Sequence, residues 1–394
     1  MKRTLLIPAL LDAHWPLLRW AFASDAWDPV VLEDWEGAEH LGLRHLHGDL
    51  CYPFILIAGQ VLAALQSGRY DPARTGVLIS QAGDACRGSC LIRLLRPVLD
   101  RAGFRQVALL SLNVRDLERE AALPVSLPMA RRALAAAFWG DTLMLAARQT
   151  RPYEAVPGSA DRLARAWTET LSADLRGNRN LSPAGILRRC RELAADFRAV
   201  ERVPRPIQKI AVVGDIYTKY CRLGNWDLEA YLERHDCEMA AGGITWHFLY
   251  YLDTHLTGPR RAAARPLLAR VQSMQAELCR ILAEAGFAVL PSYRELRDLA
   301  AAYGATRCAV GSGWLLAGEA AGWVRAGYRK VLAALPFGCL PGHIYGRGQY
   351  AALQRRLPGS LIVGVDYDAS TRAGTVESRI RMLLDTELPA ADFR

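Results

Sequence analysis

The chain has 394 residues, 51% of them hydrophobic and 23% charged, with a formal net charge of +9. That length exceeds the usual limit of one hydrophobic core, so two domains are expected, and the composition excludes a disordered chain. Basic residues lie scattered among acids along helical stretches, Arg greatly outnumbers Lys, and no basic block marks a nucleic-acid interface.

No apolar run is long enough to span a bilayer. The opening "MKRTLLIPALLDAHWP" is basic and then apolar, but Pro8, Asp12 and His14 interrupt it and no small-residue cleavage site follows, so Leu5–Ile7 reads as a first strand rather than a signal peptide. The nine cysteines are too few for a disulfide scaffold in a chain of this size. The expected location is cytoplasmic.

The first part alternates strand and helix. "TLLIPAL" is strand-like, "HWPLLRWAFAS" has helical spacing and "PVVLE" is a short strand. After Cys51, "FILIAGQVLAAL" reads as a helix closed by Gly68 and Pro72. "TGVLISQ" is a β-branched run, "CLIRLLRPVLDRAG" a helix stopping at Gly103, and "QVALLSLN" a further strand. From 126 to 205 strand patterns give way to three amphipathic helical stretches and the stiff connector "VPRPIQ". Alternation then resumes. "KIAVVGD", "KVLAALPFG" and "GSLIVGVDYD" read as strands, while "NWDLEAYLERHD", "TWHFLYYLDTH", the stretch 260–286 and "TVESRIRMLL" read as helices. The expectation is an α/β protein: two Rossmann-like or flavodoxin-like domains with mainly parallel sheets, residues 1–125 and 206–394, joined by a helical segment, 126–205.

Three cysteines share one position in this grammar. Cys86 and Cys339 follow strands, and Cys51 opens a helix. Loops at the carboxyl ends of parallel strands form the ligand crevice of open α/β sheets, and helix N-termini favour thiolate over thiol. All three can therefore face one centre in a cleft between the domains. Cys86 and Cys90 are spaced i, i+4, as on one helix face. A zinc site or a disulfide redox centre calls for a short Cys-x-x-Cys pair, which is absent, whereas iron–sulfur clusters accept dispersed thiolates. Plain structural loop cysteines are the competing reading. Cys221 and Cys308 are weaker candidates, and Cys190, Cys237 and Cys279 fit core positions.

Other residues carry two readings each. His343, four residues after Cys339, suits a proton donor or a capping side chain, and Arg87 suits an anion contact or a plain surface charge. Tyr153 and Glu154 suit packing at the junction, and Asp366 and Asp368 suit a strand-end turn better than a metal. "GSGWLLAG" and "GRGQ" are glycine-rich but lack dinucleotide spacing, and no P-loop is present, so the chain is not expected to hydrolyse ATP through one.

The segments "HGDLCYPFILIAGQVLAALQSGRYD", "VLISQAGDACRGSCLIRLLRPVLDRAGFRQVALLSLN", "RQTRPYEAVPG", "KIAVVGDIYTKYCRLGNWDLEAYLE", "GSGWLLAGE" and "LPFGCLPGHIYGRG" with "LIVGVDYDAS" run in order from residue 47 to residue 370. Together they resemble the 2-hydroxyacyl-CoA dehydratase family and its activase-related relatives. The resemblance implies a [4Fe–4S] or double-cubane iron–sulfur cluster held by Cys51, Cys86 and Cys339. It also implies reduction by an ATP-hydrolysing activator of the actin/Hsp70 fold, and radical dehydration of an acyl-CoA in anaerobic metabolism by a homo- or hetero-dimer. The family's loop reads like "QTGGGCRASN"; here Ala82 stands for Thr, Asp84 for Gly and Cys90 for Asn, which offers Cys90 as a fourth ligand or leaves it idle. "GNWD" and "AAGGITWHF" also depart from the pattern and put the substrate site in question. The expected function is therefore an iron–sulfur lyase. The alternatives are an iron–sulfur reductase or electron carrier acting on another small substrate, and a cluster-free scaffold or regulatory subunit.

Overall fold

The structure is a computed structural model and describes residues 2–33, 36–81, 83–112, 121–304, 306–307 and 310–389. Cys308 and Ala82, both singled out above, lie outside the described residues.

The first lobe runs β1 (Arg3–Ile7), α1 (Trp15–Phe22), β2 (Trp27–Val31), α2 (Ala38–His45), α3 (Tyr52–Gln66), β3 (Thr75–Ser80), α4 (Leu91–Arg101) and β4 (Ala108–Leu112). Its four strands are parallel, in the order β2-β1-β3-β4. Pro29 is tolerated because β2 is an edge strand. Three helices follow: α5 (Leu127–Arg148), α6 (Ser159–Arg176) and α7 (Pro183–Arg198). Ser126 and Ser182 start α5 and α7 by accepting the backbone N–H of Met129 and Gly185, each with proline in the first turn.

The second lobe comprises β5 (Gln208–Gly214), α8 (Ile216–Tyr220), α9 (Arg222–Asn225), α10 (Leu228–Glu233), β6 (Cys237–Ala241) and α11 (Ile244–His255). It continues through α12 (Gly258–Glu284), α13 (Tyr293–Ala301), α14 (Leu315–Arg325), β7 (Lys330–Pro336), α15 (Gly348–Arg356), β8 (Leu361–Tyr367) and α16 (Ala373–Asp385). The order is again parallel, β6-β5-β7-β8. Each sheet thus has the strand order of a flavodoxin-type half, with its topological switch between β1 and β3 or between β5 and β7. The α/β class with two parallel sheets is the architecture observed.

Several elements differ from the sequence reading. Helix α2 and strand β6 were not anticipated. The helix of "NWDLEAYLERHD" is shorter than expected, Leu228–Glu233, because Trp226 and Asp227 adopt positive φ (54° and 58°) and separate it from α9. The glycine-rich "GSGWLLAG" runs into α14, a buried helix.

The two faces of each sheet enter two different cores. Leu5, Ile7, Leu78, Ala211, Val213, Val331 and Ala333 belong to one, while Leu6, Val77, Ile79, Ile210, Val212, Leu332 and Ala334 belong to the other. That is the two-residue alternation of a strand read out in packing. Both cores take residues from both sheets, so the lobes share their interiors. Helix α5 adds a polar pin: the buried Asp141 accepts from the backbone N–H groups of Ile244 (2.7 Å) and Thr245 (3.0 Å) and the Thr245 hydroxyl (2.6 Å), and meets His14 Nε2 at 2.8 Å. One carboxylate of the helical segment therefore caps α11 of the second lobe and holds the first lobe through His14. Among the described residues, no helix is long and apolar enough to cross a membrane.

Candidate functional site

Cys51 is the N-cap of α3, Cys86 precedes a 3₁₀ turn (Arg87–Ser89) in the loop after β3, and Cys339 lies in the turn after β7. The structure brings these three loops together. Arg87 does the stitching: Nη1 donates to the Asp49 carbonyl (3.0 Å), two residues before Cys51, and Nη2 donates to the Gly338 carbonyl (3.2 Å), next to Cys339. One guanidinium, one residue from Cys86, thus ties down the chain beside the other two thiols.

The electrostatics agree with this convergence. Burial pushes the Cys51 thiol up to about 12 and the Cys86 thiol up to about 11, with Asp215 adding to both. The Cys339 thiol is pushed up as well, by burial first and then by Asp215, Cys86 and Cys51. The expectation that helix N-termini would favour thiolate is corrected here: desolvation outweighs the nearby N–H groups, and the thiols are neutral at pH 7. The Cys86 sulfur still accepts the Gly88 N–H (3.4 Å), whereas the Phe54 N–H is taken by the Cys51 carbonyl (2.8 Å). A side chain on Gly342 would come within 2.8 Å of Leu335 and 3.3 Å of the Cys339 sulfur, so glycine lets the backbone pack against both.

Two carboxylates of this region were not foreseen. Asp215, directly after β5, is half-buried and caps α8 through the Tyr217 N–H (2.9 Å); desolvation raises its pKa against the backbone bonds it accepts. The rule that picked out Cys86 and Cys339, a residue just past a strand's carboxyl end, applies to it equally. Asp84, noticed only as a departure from the family loop, accepts from the Cys86 N–H (2.7 Å) and the Gly311 N–H (2.8 Å) and meets His255 Nε2 at 2.9 Å. Burial works against its charge, but the bonds from His255, Cys86 and Gly311 outweigh it and lower the pKa. Asp84 therefore clasps the Cys86 loop to the end of α11 in the other lobe.

The remaining candidates lie elsewhere or serve the backbone. Cys86 and Cys90 do not share a helix face, because a 3₁₀ turn separates them; the Cys90 thiol donates back to the Arg87 carbonyl (3.1 Å). Cys221 is buried in the second core beside Asp12 and Tyr217, not with the other three thiols. Cys190 and Cys237 are also core residues, and Cys279 lies on α12 against Gln275. His343 Nδ1 faces the Cys339 carbonyl at 2.8 Å, one turn back, as a capping side chain does. Asp366 pairs with Arg347 (2.7 Å) and Asp368 accepts from the Ser370 hydroxyl (2.6 Å). The Tyr153 hydroxyl donates to Glu238 (2.6 Å), and Glu154 accepts from the Ala160 N–H (2.8 Å) at the start of α6.

Among the described residues, no three His, Cys, Asp or Glu side chains are gathered closely enough to form the shell of a single metal ion. The donor set is instead three soft sulfurs on separate loops, with a backbone N–H on Cys86 and one cation between the loops. That chemistry fits a polynuclear sulfide cluster, whose irons sit apart and spread their thiolates, better than it fits a lone ion. Beside Cys339 the surface is apolar: Phe337, Leu340 and Ile344 are 61%, 50% and 52% exposed.

Fold and site together define a class: a two-lobed parallel α/β protein in which three cysteine-bearing loops, two of the first lobe and one of the second, are tied together by one arginine. No protein-family model matches the chain, and no curated protein matches it.

Proposed function

We propose that Cys51, Cys86 and Cys339 hold an iron–sulfur cluster and that the protein is the cluster-bearing part of a 2-hydroxyacyl-CoA dehydratase-type system. In this reading an ATP-hydrolysing activator delivers a low-potential electron, and water is removed from a 2-hydroxyacyl-CoA. The observation that carries it is the meeting of three thiols from both lobes, tied by Arg87 to the Asp49 and Gly338 carbonyls. The cluster would supply the one-electron chemistry.

The chain's own residues have distinct tasks. The thiols ligate once iron displaces their protons, since a bound cation offsets the burial that keeps them neutral. The Gly88 N–H donates to the Cys86 sulfur and would shift the potential. Arg87 offsets negative charge at the rim, and Asp84 fixes the Cys86 loop. Phe337, Leu340 and Ile344 give a protein electron donor an apolar surface beside Cys339.

The test is anaerobic reconstitution with iron and sulfide, followed by iron and sulfide quantification and an electron paramagnetic resonance spectrum of the reduced protein. Cys51→Ala and Cys339→Ala should each lose most of the iron, while Cys90→Ala keeps it. Wild-type iron in both of the first two variants overturns the ligand assignment. An iron-loaded protein that leaves 2-hydroxyacyl-CoA unchanged in the presence of activator and ATP refutes the dehydratase assignment alone.

A further inference from the structure

A second cleft, of about 600 Å³, opens between the end of α11, the N-terminal half of α12 and α13. Four guanidiniums line it: Arg261, Arg265, Arg294 and Arg297. At its wall lies Asp253, whose side chain is 7% exposed. This carboxylate accepts from Arg261 (3.1 Å), Arg297 (2.8 Å) and the Tyr293 hydroxyl (2.9 Å). Two guanidiniums thus share a single buried counter-charge, and the tyrosine fixes its direction. Arg294 is anchored by a neutral group, the Gln272 carbonyl oxygen at 2.9 Å. Arg265 has no partner among the described residues. Asp298 is the other carboxylate in the lining, so the cleft keeps a surplus of two positive charges.

The geometry points to this cleft as a binding site for a small molecule carrying two or more phosphate groups. Guanidinium forks match phosphate oxygens in pairs, and three of the four are held in place by one anchor each, which leaves N–H groups for a ligand. The volume falls in the range of small-molecule pockets and exceeds what one phosphate fills. A single carboxylate would leave the surplus charge half-compensated. The cleft is also joined to the thiol region: Thr306 lines it, Gly311 a few residues on donates to Asp84, and His255, two residues after Asp253, meets the same carboxylate.

The proposal does not need the cluster, and its test uses metal-free protein. Inorganic pyrophosphate and ADP are titrated calorimetrically into the full chain at low and at high salt. Binding is expected for both, and the double variant Arg265→Ala/Arg294→Ala should weaken it by about tenfold for each guanidinium removed. The exposed Arg325→Ala, on α14 away from the cleft, serves as control. Absence of binding, an undiminished affinity in the double variant, or an equal loss in the Arg325 control overturns the proposal; the last outcome means that general surface charge attracts the probe. Circular dichroism of each variant establishes that a loss is not one of folding.

Discussion

Asp84→Asn is a change of one atom at the contact between lobes, and its cost follows from the geometry. The side chain is 4% exposed and its partner His255 0%. One carboxylate oxygen serves the Cys86 N–H at 2.7 Å; the other serves the Gly311 N–H at 2.8 Å and faces His255 Nε2 at 2.9 Å. An amide has one oxygen to offer. If it faces Cys86, the NH₂ group meets Gly311 and His255; if it turns, the NH₂ group meets the Cys86 N–H. At least one buried donor is left opposed to another donor, and the surviving bonds lose their ionic character. Hydrogen bonds to charged groups contribute about 1.5–3 kcal/mol each, so a loss of about 3 kcal/mol is expected.

That loss should be local as well as global, because the bonds tie the Cys86 loop to Gly311 and to the end of α11. Denaturant unfolding at pH 7 measures the first effect, and amide hydrogen exchange at Cys86 and Gly311 the second. A variant within about 0.5 kcal/mol of wild type, as ordinary surface changes are, with unchanged exchange at both amides, would refute the clasp.

Two further predictions concern buried charge. Burial raises the Asp12 pKa to about 6 against the opposing backbone bond and charge of Arg222. Because the folded value lies above the ordinary value of 3.8, this group favours the fold at low pH, and that advantage is lost as pH rises from about 4 to about 6; by pH 7 the cost is of the order of 1–3 kcal/mol. Asp12→Asn should therefore match wild type near pH 4 and exceed it at pH 8 in urea unfolding, and parallel stability curves would contradict this. Lys219 on α8 and Glu319 on α14 form an ion pair in which each side chain is 1% exposed, with Nζ 2.9 and 2.8 Å from the two carboxylate oxygens. Lys219→Met strands the carboxyl group and should cost about 3–5 kcal/mol, whereas Lys219→Met with Glu319→Leu recovers much of it. A double variant less stable than the single one shows that the pair itself, rather than the stranded charge, matters.

How much of this was legible depends on how far away the explanation of each residue lies. The β-branched runs of β3, β5 and β8 and the apolar run of β7 announce themselves locally. Strand β6, "CEMAA", does not, because Glu238 looks like a surface residue; it is 2% exposed and satisfied by the hydroxyls of Tyr153 and Tyr328, 85 and 90 residues distant. In α14 the glycines resemble turn residues, yet a side chain on Gly322 would come within 2.9 Å of Leu290, so close helix packing is what they serve. The thiol loops could be placed from strand order alone, and Asp215 was available by the same rule. The clasp between Asp84 and His255 joins positions 171 residues apart and had no local signature. The ionisation of the thiols was misjudged because helix N-termini can be seen in a sequence and desolvation cannot.

Strand order also explains why thiols from two lobes can share a crevice. In each sheet the order in which strands are added reverses at one place, between β1 and β3 or between β5 and β7, and the loops leaving those ends must diverge to opposite faces of the sheet. Two such openings produce one site only if the lobes keep them facing each other. A flexible joint would let them part. Here both cores run through both lobes, and the buried Asp141 takes its bonds from each, so separation would expose continuous apolar surface and strand a carboxylate that accepts from Ile244 and Thr245. Relative motion of domains is the ordinary expectation only where the interface is small and polar. The placement of the Cys51, Cys86 and Cys339 loops is accordingly set by the packed interior and by Arg87.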